Sequence, residues 1–303
     1  MPSEGPRERR LDDGAGRPVD RESYLRWLKE SLGAVVDGRL EARYGAVVNK
    51  VKRDFEESPL WTGIGAALVD FDSAYRLRSD GYLLFLAEPE RPPLLTKSFD
   101  SYVLKTYRRN VLENERWPEP PAGGWIVPDE GFEAVNDLVR TAFVVKYLDG
   151  VEFLAERLRA LAEEHGWSAQ LDFDARMEGH YAAHLCFRDE FAIPGPSWDT
   201  EPASVAVEVQ ITTQLQEVIR RLTHRYYEAR REQPVPARSS WQWNYESDEF
   251  TANYLGHILH YVEGMIMEVR ARQRDETKGT STWSEARRRS SASTWSGWAW
   301  GRT

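Results

Sequence analysis

The stretch VAVEVQITTQLQEVIRRLTHRYYEARR, from Val205 to Arg231, constrains the chain more than any other. It alternates with a period of two and then changes to helical spacing. In its first half Val205, Val207, Val209 and Ile211 share one face, while Ala206, Glu208, Gln210 and Thr212 share the other. Four β-branched residues on one side require a packed layer, so the strand belongs to a sheet covered by helices. The opposite side carries a carboxylate at its centre. A strand glutamate is ordinarily a solvated residue, but Ala206, Gln210 and Thr212 are small or uncharged and suit the lining of a cleft.

The rest of the chain supplies the other elements. Tyr24, Leu25, Leu28, Leu32, Val35 and Val36 recur at helical spacing, and two helices are expected over residues 21–61, with a third over Ile64 to Arg78. AEPERPPLLTK is a loop broken by prolines. SFDSYVLKTYRRNVLENERW predicts a helix capped by Ser98, whose hydroxyl can accept from the first free amides. NDLVRTAFVVKYL has strand length and GVEFLAERLRALAEEHGW is helical. HYAAHLCFRDEF is a second strand, AIPGPSWDTEPA a loop, and Thr251 to Arg274 a periodic helix. Strands interspersed with helices predict an α+β fold: a nucleotidyltransferase-like mixed β-sheet flanked by helices, with N-terminal helices and a C-terminal helix. The expected organisation is an arm over residues 1–20 and one domain over 21–274. That domain has its core motifs at 97–231 and an accessory helix at 251–274. A Trp-, Ser- and Arg-rich tail over 275–303 shows no period and is expected to be disordered.

Composition narrows the function classes. Forty-one per cent hydrophobic and 29% charged residues in 303 describe a folded chain. No apolar run approaches the roughly 20 residues that cross a bilayer, and the first residues lack a secretory apolar core. With Cys186 as the single cysteine, a disulfide within the chain and a cysteine-based zinc site are excluded. A cytoplasmic protein without a membrane partner is expected. The net charge is −9, yet residues 270–303 carry eight basic and three acidic side chains, leaving about −14 for the body. Such a body does not coat nucleic acid over its whole surface, but leaves room for a local basic cleft.

The candidate chemistry is spread along the chain. Glu208 and Asp137, the latter just before the run Phe143 to Tyr147, are carboxylates of two strands, the common way to hold Mg²⁺ between nucleotide phosphates. Each alone reads as readily as a solvated residue or a cap. Lys97, Ser98, Ser101 and Lys105 lie at the opening of a helix, where first-turn amides add partial positive charge and suit a triphosphate. Their bland reading is an ordinary helix start. EGHYAAH places His180, Tyr181 and His184 behind a glycine, where a ring can stack on a base. There is no Walker A run, GxGxxG, HExxH or nucleophile elbow.

Taken in order, these segments resemble the synthetase domain of the RelA/SpoT family, the (p)ppGpp synthetases, over roughly Lys97 to Arg231. The family's Lys-Ser-x-x-Ser-x-x-x-Lys segment is matched by Lys97, Ser98, Ser101 and Lys105, which implies ATP-phosphate binding. Asp137-Leu138 matches its metal-binding Asp at a strand start. GHYAAH matches the acceptor loop through Gly179 and His184. EVQITT matches the strand of the catalytic Glu through Glu208, Gln210, Ile211 and Thr213, and His224 corresponds to a later helix His. The resemblance implies a Mg²⁺-dependent transfer of the β,γ-pyrophosphate of ATP to a 3′-hydroxyl. Asp137 and Glu208 would be catalytic and metal-binding, and His180, Tyr181, His184, Gln210 and His224 would lie on the acceptor side.

The departures matter. Leu95 stands where the family often has an adenine-stacking Arg. Ala142 replaces another Arg, while Arg140 lies earlier, and Thr212 replaces a third. His180 precedes the aromatic Tyr181. These changes resemble the toxic small alarmone synthetases, toxin–antitoxin components some of which modify the 3′ end of tRNA. The lost arginines weigh against GDP or GTP, so the tRNA 3′-CCA end is the expected acceptor, with GDP or GTP as the alternative and an antitoxin protein as partner. The clusters Lys50, Lys52 and Arg53; Arg108 and Arg109; and Arg220, Arg221 and Arg225 are candidate contacts for the acceptor stem, or solvated helix faces. A catalytically inactive module binding nucleotide, RNA or antitoxin is a further alternative.

Overall fold

A computed structural model describes residues 16–230 and 241–293, with side chains over 16–223 and 242–274. Three helices come first: α1 (Arg21–Leu32), α2 (Gly38–Glu56) and α3 (Pro59–Arg78). Each starts where an oxygen side chain meets free amides. Asp20 accepts from the Ser23 amide while Ser23 returns to the Asp20 amide, Asp37 caps α2, and Ser58 caps α3 with Pro59 in its first turn. That Ser-Pro start places α3 five residues earlier than the apolar spacing alone suggests. The arm is anchored well before residue 20. Arg17 donates to the carbonyls of Leu112 and Asn114, and Tyr107 donates to that of Pro18.

The sheet has the order β1-β2-β5-β4-β3, from β1 (Leu95–Thr96), β2 (Val139–Val145), β3 (Ser168–Ala175), β4 (Tyr181–Pro194) and β5 (Thr200–Thr213). β2 and β5 are parallel and the other pairs antiparallel, so the α+β expectation of a mixed sheet flanked by helices is met. Two strands were not legible. β1 is two residues long, and β3 is an edge strand with half its side chains exposed. The segment expected as a loop after β4 is largely strand, because the chain turns back over residues 195–199, where the Gly195 N–H donates a hydrogen bond to the Asp199 carbonyl.

Residues of odd number on β2, β4 and β5 form the core face. Val139, Phe143, Leu185, Phe187, Val205, Val207, Val209 and Ile211 are all buried, in one cluster with Tyr44, Val51 and Phe55 of α2, Ile64 of α3, and Leu154 and Leu158 of α5 (Leu148–Glu164). The four aliphatics of β5 have no exposed surface, so the periodicity located the core correctly. The even face is polar and half-buried. Register sets Arg140, Glu208, Cys186 and Gln170 in one row across it, and Ala142, Gln210, His184 and Asp172 in the next.

α4 (Phe99–Tyr107) continues into a wide turn at residues 108–112, and α6 (Gln214–Arg230) leaves the end of β5. The last helix, α7 (Asp248–Ser293), is much longer than the expected 251–274. The Ser- and Thr-rich tail holds no proline over 275–293, and extending an already nucleated helix costs little per residue. The tail is therefore helical to Ser293, and only residues 294–303 of it, with 1–15 of the arm, lie outside the described residues. No described helix is long and apolar enough to cross a membrane.

Candidate active site

At one end of the even face, β1 and the start of β2 bring Lys97 and Asp137 together. The Lys97 amide donates to the Leu138 carbonyl at 2.9 Å, and its own carbonyl accepts from Tyr44 Oη. Ser98 then caps α4, accepting from the Ser101 amide, and the Ser98 and Ser101 hydroxyls lie 2.9 Å apart. Two turns on, Lys105 points back. Lys97 Nζ and Lys105 Nζ each sit 2.8 Å from a different oxygen of Asp137. Burial alone would raise the Asp137 carboxyl, but the charges and hydrogen bonds of Lys105 and Lys97 outweigh it and hold the group far below the usual carboxylate range. Burial lowers Lys97, which also feels the charges of Lys105 and Arg140. Two ammonium groups thus hold one carboxylate, with the Arg140 charge felt at Lys97, a local excess of positive charge that fits an anionic ligand.

The other end is built on β4 and β5. His184 Nδ1 lies 2.8 Å from Glu208 Oε1, and Gln210 Nε2 donates to Glu208 Oε2 at 3.0 Å. Glu208 is 9% exposed. Burial raises its carboxyl, yet the His184 and Gln210 hydrogen bonds bring the net shift below the ordinary value, while the nearby Asp137 charge opposes them. A carboxylate so held is ionised and fixed in direction. The His180 ring stands 6.2 Å from that of His184, and burial, with Arg176 and His184 nearby, pushes its imidazole down to about 4. Cys186, beside Glu208 in register, is pushed up to about 11 by burial and the Glu208 charge, and is not a nucleophile at neutral pH.

Lys97, Ser98, Ser101, Lys105 and Asp137 therefore form one group, and Glu208, Gln210, His184 and His180 a second. Tyr181 joins neither. Its ring lies flat on His260 of α7, with centroids 3.6 Å apart and planes at 4°, and its hydroxyl meets His257 Nδ1 at 2.8 Å. His224 is in α6, with its side chain outside the described residues. Three residues were missed. Arg140 shares the site face with Glu208, which the alternation of β2 could have shown. Asp174 lies 3.6 Å from His184 Nε2 on the unrecognised strand β3. His260 had no local signal, because its place depends on how α7 docks.

The expected basic clusters are largely neutralised locally. Lys50 pairs with Asp54, Lys52 with Glu56, Arg108 with Glu113, and Arg220 and Arg221 with Glu217. The side chain of Arg225 lies outside the described residues.

No protein-family model matches the chain, and no curated protein matches it. Among solved structures it is similar to small alarmone synthetase 2 from Bacillus subtilis, at 15% identity and a TM-score of 0.41 over 68% of this chain and 93% of that one. Small alarmone synthetase 1 from Bacillus subtilis, bound to its product pppGpp, matches at 13% identity and a TM-score of 0.42 over 75% and 99%. A GTP pyrophosphokinase family protein from Streptococcus pneumoniae matches at 14% and 0.40 over 72% and 92%.

Proposed function

We propose that the chain is a pyrophosphokinase of the RelA/SpoT synthetase type, which moves the β,γ-pyrophosphate of ATP to a nucleotide 3′-hydroxyl. One observation carries this reading. Residues of four separated segments, each unremarkable alone, converge on one sheet face as a cationic group around Asp137 and a hydrogen-bonded Glu208 beside it. The first group binds: Lys97, Lys105 and Arg140 accept the triphosphate, with the Ser98 and Ser101 hydroxyls at the helix start. The second group prepares the nucleophile. Glu208, held by His184 and Gln210, accepts the proton of the attacking hydroxyl as the new oxygen–phosphorus bond forms and AMP departs.

Mg²⁺ fits the donor set, since both Asp137 and Glu208 are ionised, mostly buried and close enough to sense one another. It would supply charge neutralisation on the transferring phosphates. Lys97 and Lys105 hold the two Asp137 oxygens in the ligand-free chain, and phosphate binding draws them away from it.

For the acceptor, two observations pull in different directions. The Tyr181 ring is covered by His260, which removes the expected stacking face for guanine and favours the tRNA 3′ end. The basic clusters are paired with their own carboxylates, which removes the expected track for an acceptor stem and favours GDP or GTP. With tRNA as acceptor the protein is a growth-inhibiting toxin, for which an antitoxin protein is the corresponding partner; with GDP or GTP it is a (p)ppGpp synthetase.

The test is incubation with γ-³²P-labelled ATP and Mg²⁺, offering deacylated tRNA, GDP and GTP in parallel. Label is expected on one acceptor class and absent with Glu208→Gln. Label on none of them, with no AMP released, would leave only a binding module.

A further inference from the structure

Asp174, His180 and His184 offer one ligand atom each, all within 4.8 Å of one another. They come from the end of β3, the hairpin turn and the start of β4, so the hairpin itself brings them together. The hydrogen bond from His184 Nδ1 to the Glu208 carboxylate fixes the tautomer, since a carboxylate can only accept. In the neutral imidazole the lone pair then sits on Nε2. That atom is buried and has no hydrogen-bond partner among the described residues. A buried nitrogen without a partner costs free energy unless something binds it. Nε2 lies 3.6 Å from Asp174 Oδ2, close to the roughly 3.4 Å between ligands of a tetrahedral ion at about 2.1 Å.

We propose that Asp174, His180 and His184 form a site for one late first-row divalent cation of the Zn²⁺ or Co²⁺ class. Glu208 stands behind His184, as a carboxylate commonly stands behind a metal-bound histidine. Two imidazoles and one carboxylate select this class over Mg²⁺, which prefers oxygen ligands and keeps its waters. Three protein ligands leave a coordination position for water or a substrate oxygen. The neighbouring cations are already engaged: Arg176 Nε pairs with Asp174 Oδ2 at 2.6 Å, and Arg220 with Glu217. The Arg176 side chain is largely exposed and can swing away, leaving the Asp174 carboxylate to the ion. The His180 ligand atom already lies within 4.8 Å of the other two and closes in to complete the set. The site adjoins the pyrophosphokinase residues, sharing His184 with the group that holds Glu208, but its ion binding does not depend on that reading.

Tag-free full-length protein titrated with Co²⁺ is expected to bind one ion, with the strong visible absorption of a tetrahedral centre, and Zn²⁺ is expected to displace it. Asp174→Asn and His180→Gln should each weaken binding at least about tenfold, and Glu208→Gln by about 10- to 100-fold. His165→Gln, at the far end of α5, should leave binding unchanged. Zinc-edge X-ray absorption on the unmodified chain should show two imidazoles. The proposal fails if binding is not saturable at one ion, if Asp174→Asn and His180→Gln bind as the parent does, or if fewer than two imidazoles are seen.

Discussion

The two ends of the even sheet face solve different problems. At the Lys97–Asp137 end the groups are charged and pair directly, with both carboxylate oxygens taken by ammonium groups at 2.8 Å. At the Glu208 end one carboxylate is held by an imidazole and an amide, both of which aim it rather than neutralise it. The first arrangement recognises charge and tolerates small displacements, because Coulomb attraction falls slowly with distance. The second depends on direction, because a hydrogen bond weakens steeply when bent. The proposed pyrophosphate transfer would use both, one end to hold phosphate and the other to place a proton.

That contrast can be broken by mutation. Glu208→Gln keeps the shape and removes the base, so transfer is expected to fall by about 10²- to 10⁴-fold with little change in KM for ATP. A loss confined to KM would mean that the two ends share one task. Lys105→Met removes a charge-assisted hydrogen bond of about 1.5–3 kcal/mol, and KM for ATP should rise roughly ten- to a hundredfold in steady-state kinetics.

Acid should separate the ends by the pH at which each gives way. The His180 imidazole is depressed to about 4 against an ordinary 6.5, so the unfolded chain takes up the proton first. Its share of stability is complete above about pH 6.5 and is lost as the pH falls toward 4. The Asp137 carboxyl is also depressed, so its share is lost only below the ordinary carboxylate range, near pH 4 and lower. Denaturant midpoints measured from pH 7 to 4 should therefore fall less in His180→Gln than in the parent. Equal slopes would remove His180 from the account. The smallest effect is expected from His260→Ala, which exposes the Tyr181 ring. Loss of the stacked pair should cost about 0.5–1.5 kcal/mol, read as a lower melting temperature. If it also raises the use of GDP over tRNA, the covered ring is what excludes guanine.

Much of this was legible in the chain. Alternation in β5 gave both the core face and the side on which Glu208 stands, because burial and period act on the same residues. The Ser98 start of α4 was legible because a capping hydroxyl is a local device. The edge strand β3 was not, since an exposed strand has no buried stripe to betray it, and Asp174 was missed with it. Nor was the use of Tyr181. Its neighbour His260 lies 79 positions away, and only the docking of α7 makes them partners. The same docking explains why α7 is an integral element: Arg270 lies over the Tyr82 and Tyr147 rings at 4.0 and 4.3 Å and pairs with Asp149.

At the crossing of α7 over the β3–β4 turn, Gly179 has a φ of +79°, and a β-carbon there would lie 2.4 Å from the Asn253 carbonyl. One on Gly256 would lie 2.3 Å from the Gly179 carbonyl. Two backbones touch there with no side chain between them, so the hairpin and the helix behave as a single hinge leaf. A methyl group on either glycine is a wedge driven into that joint. It would tilt His180 and Tyr181 without altering the Lys97–Asp137 group, and so offers a mechanical handle on the Glu208 end alone.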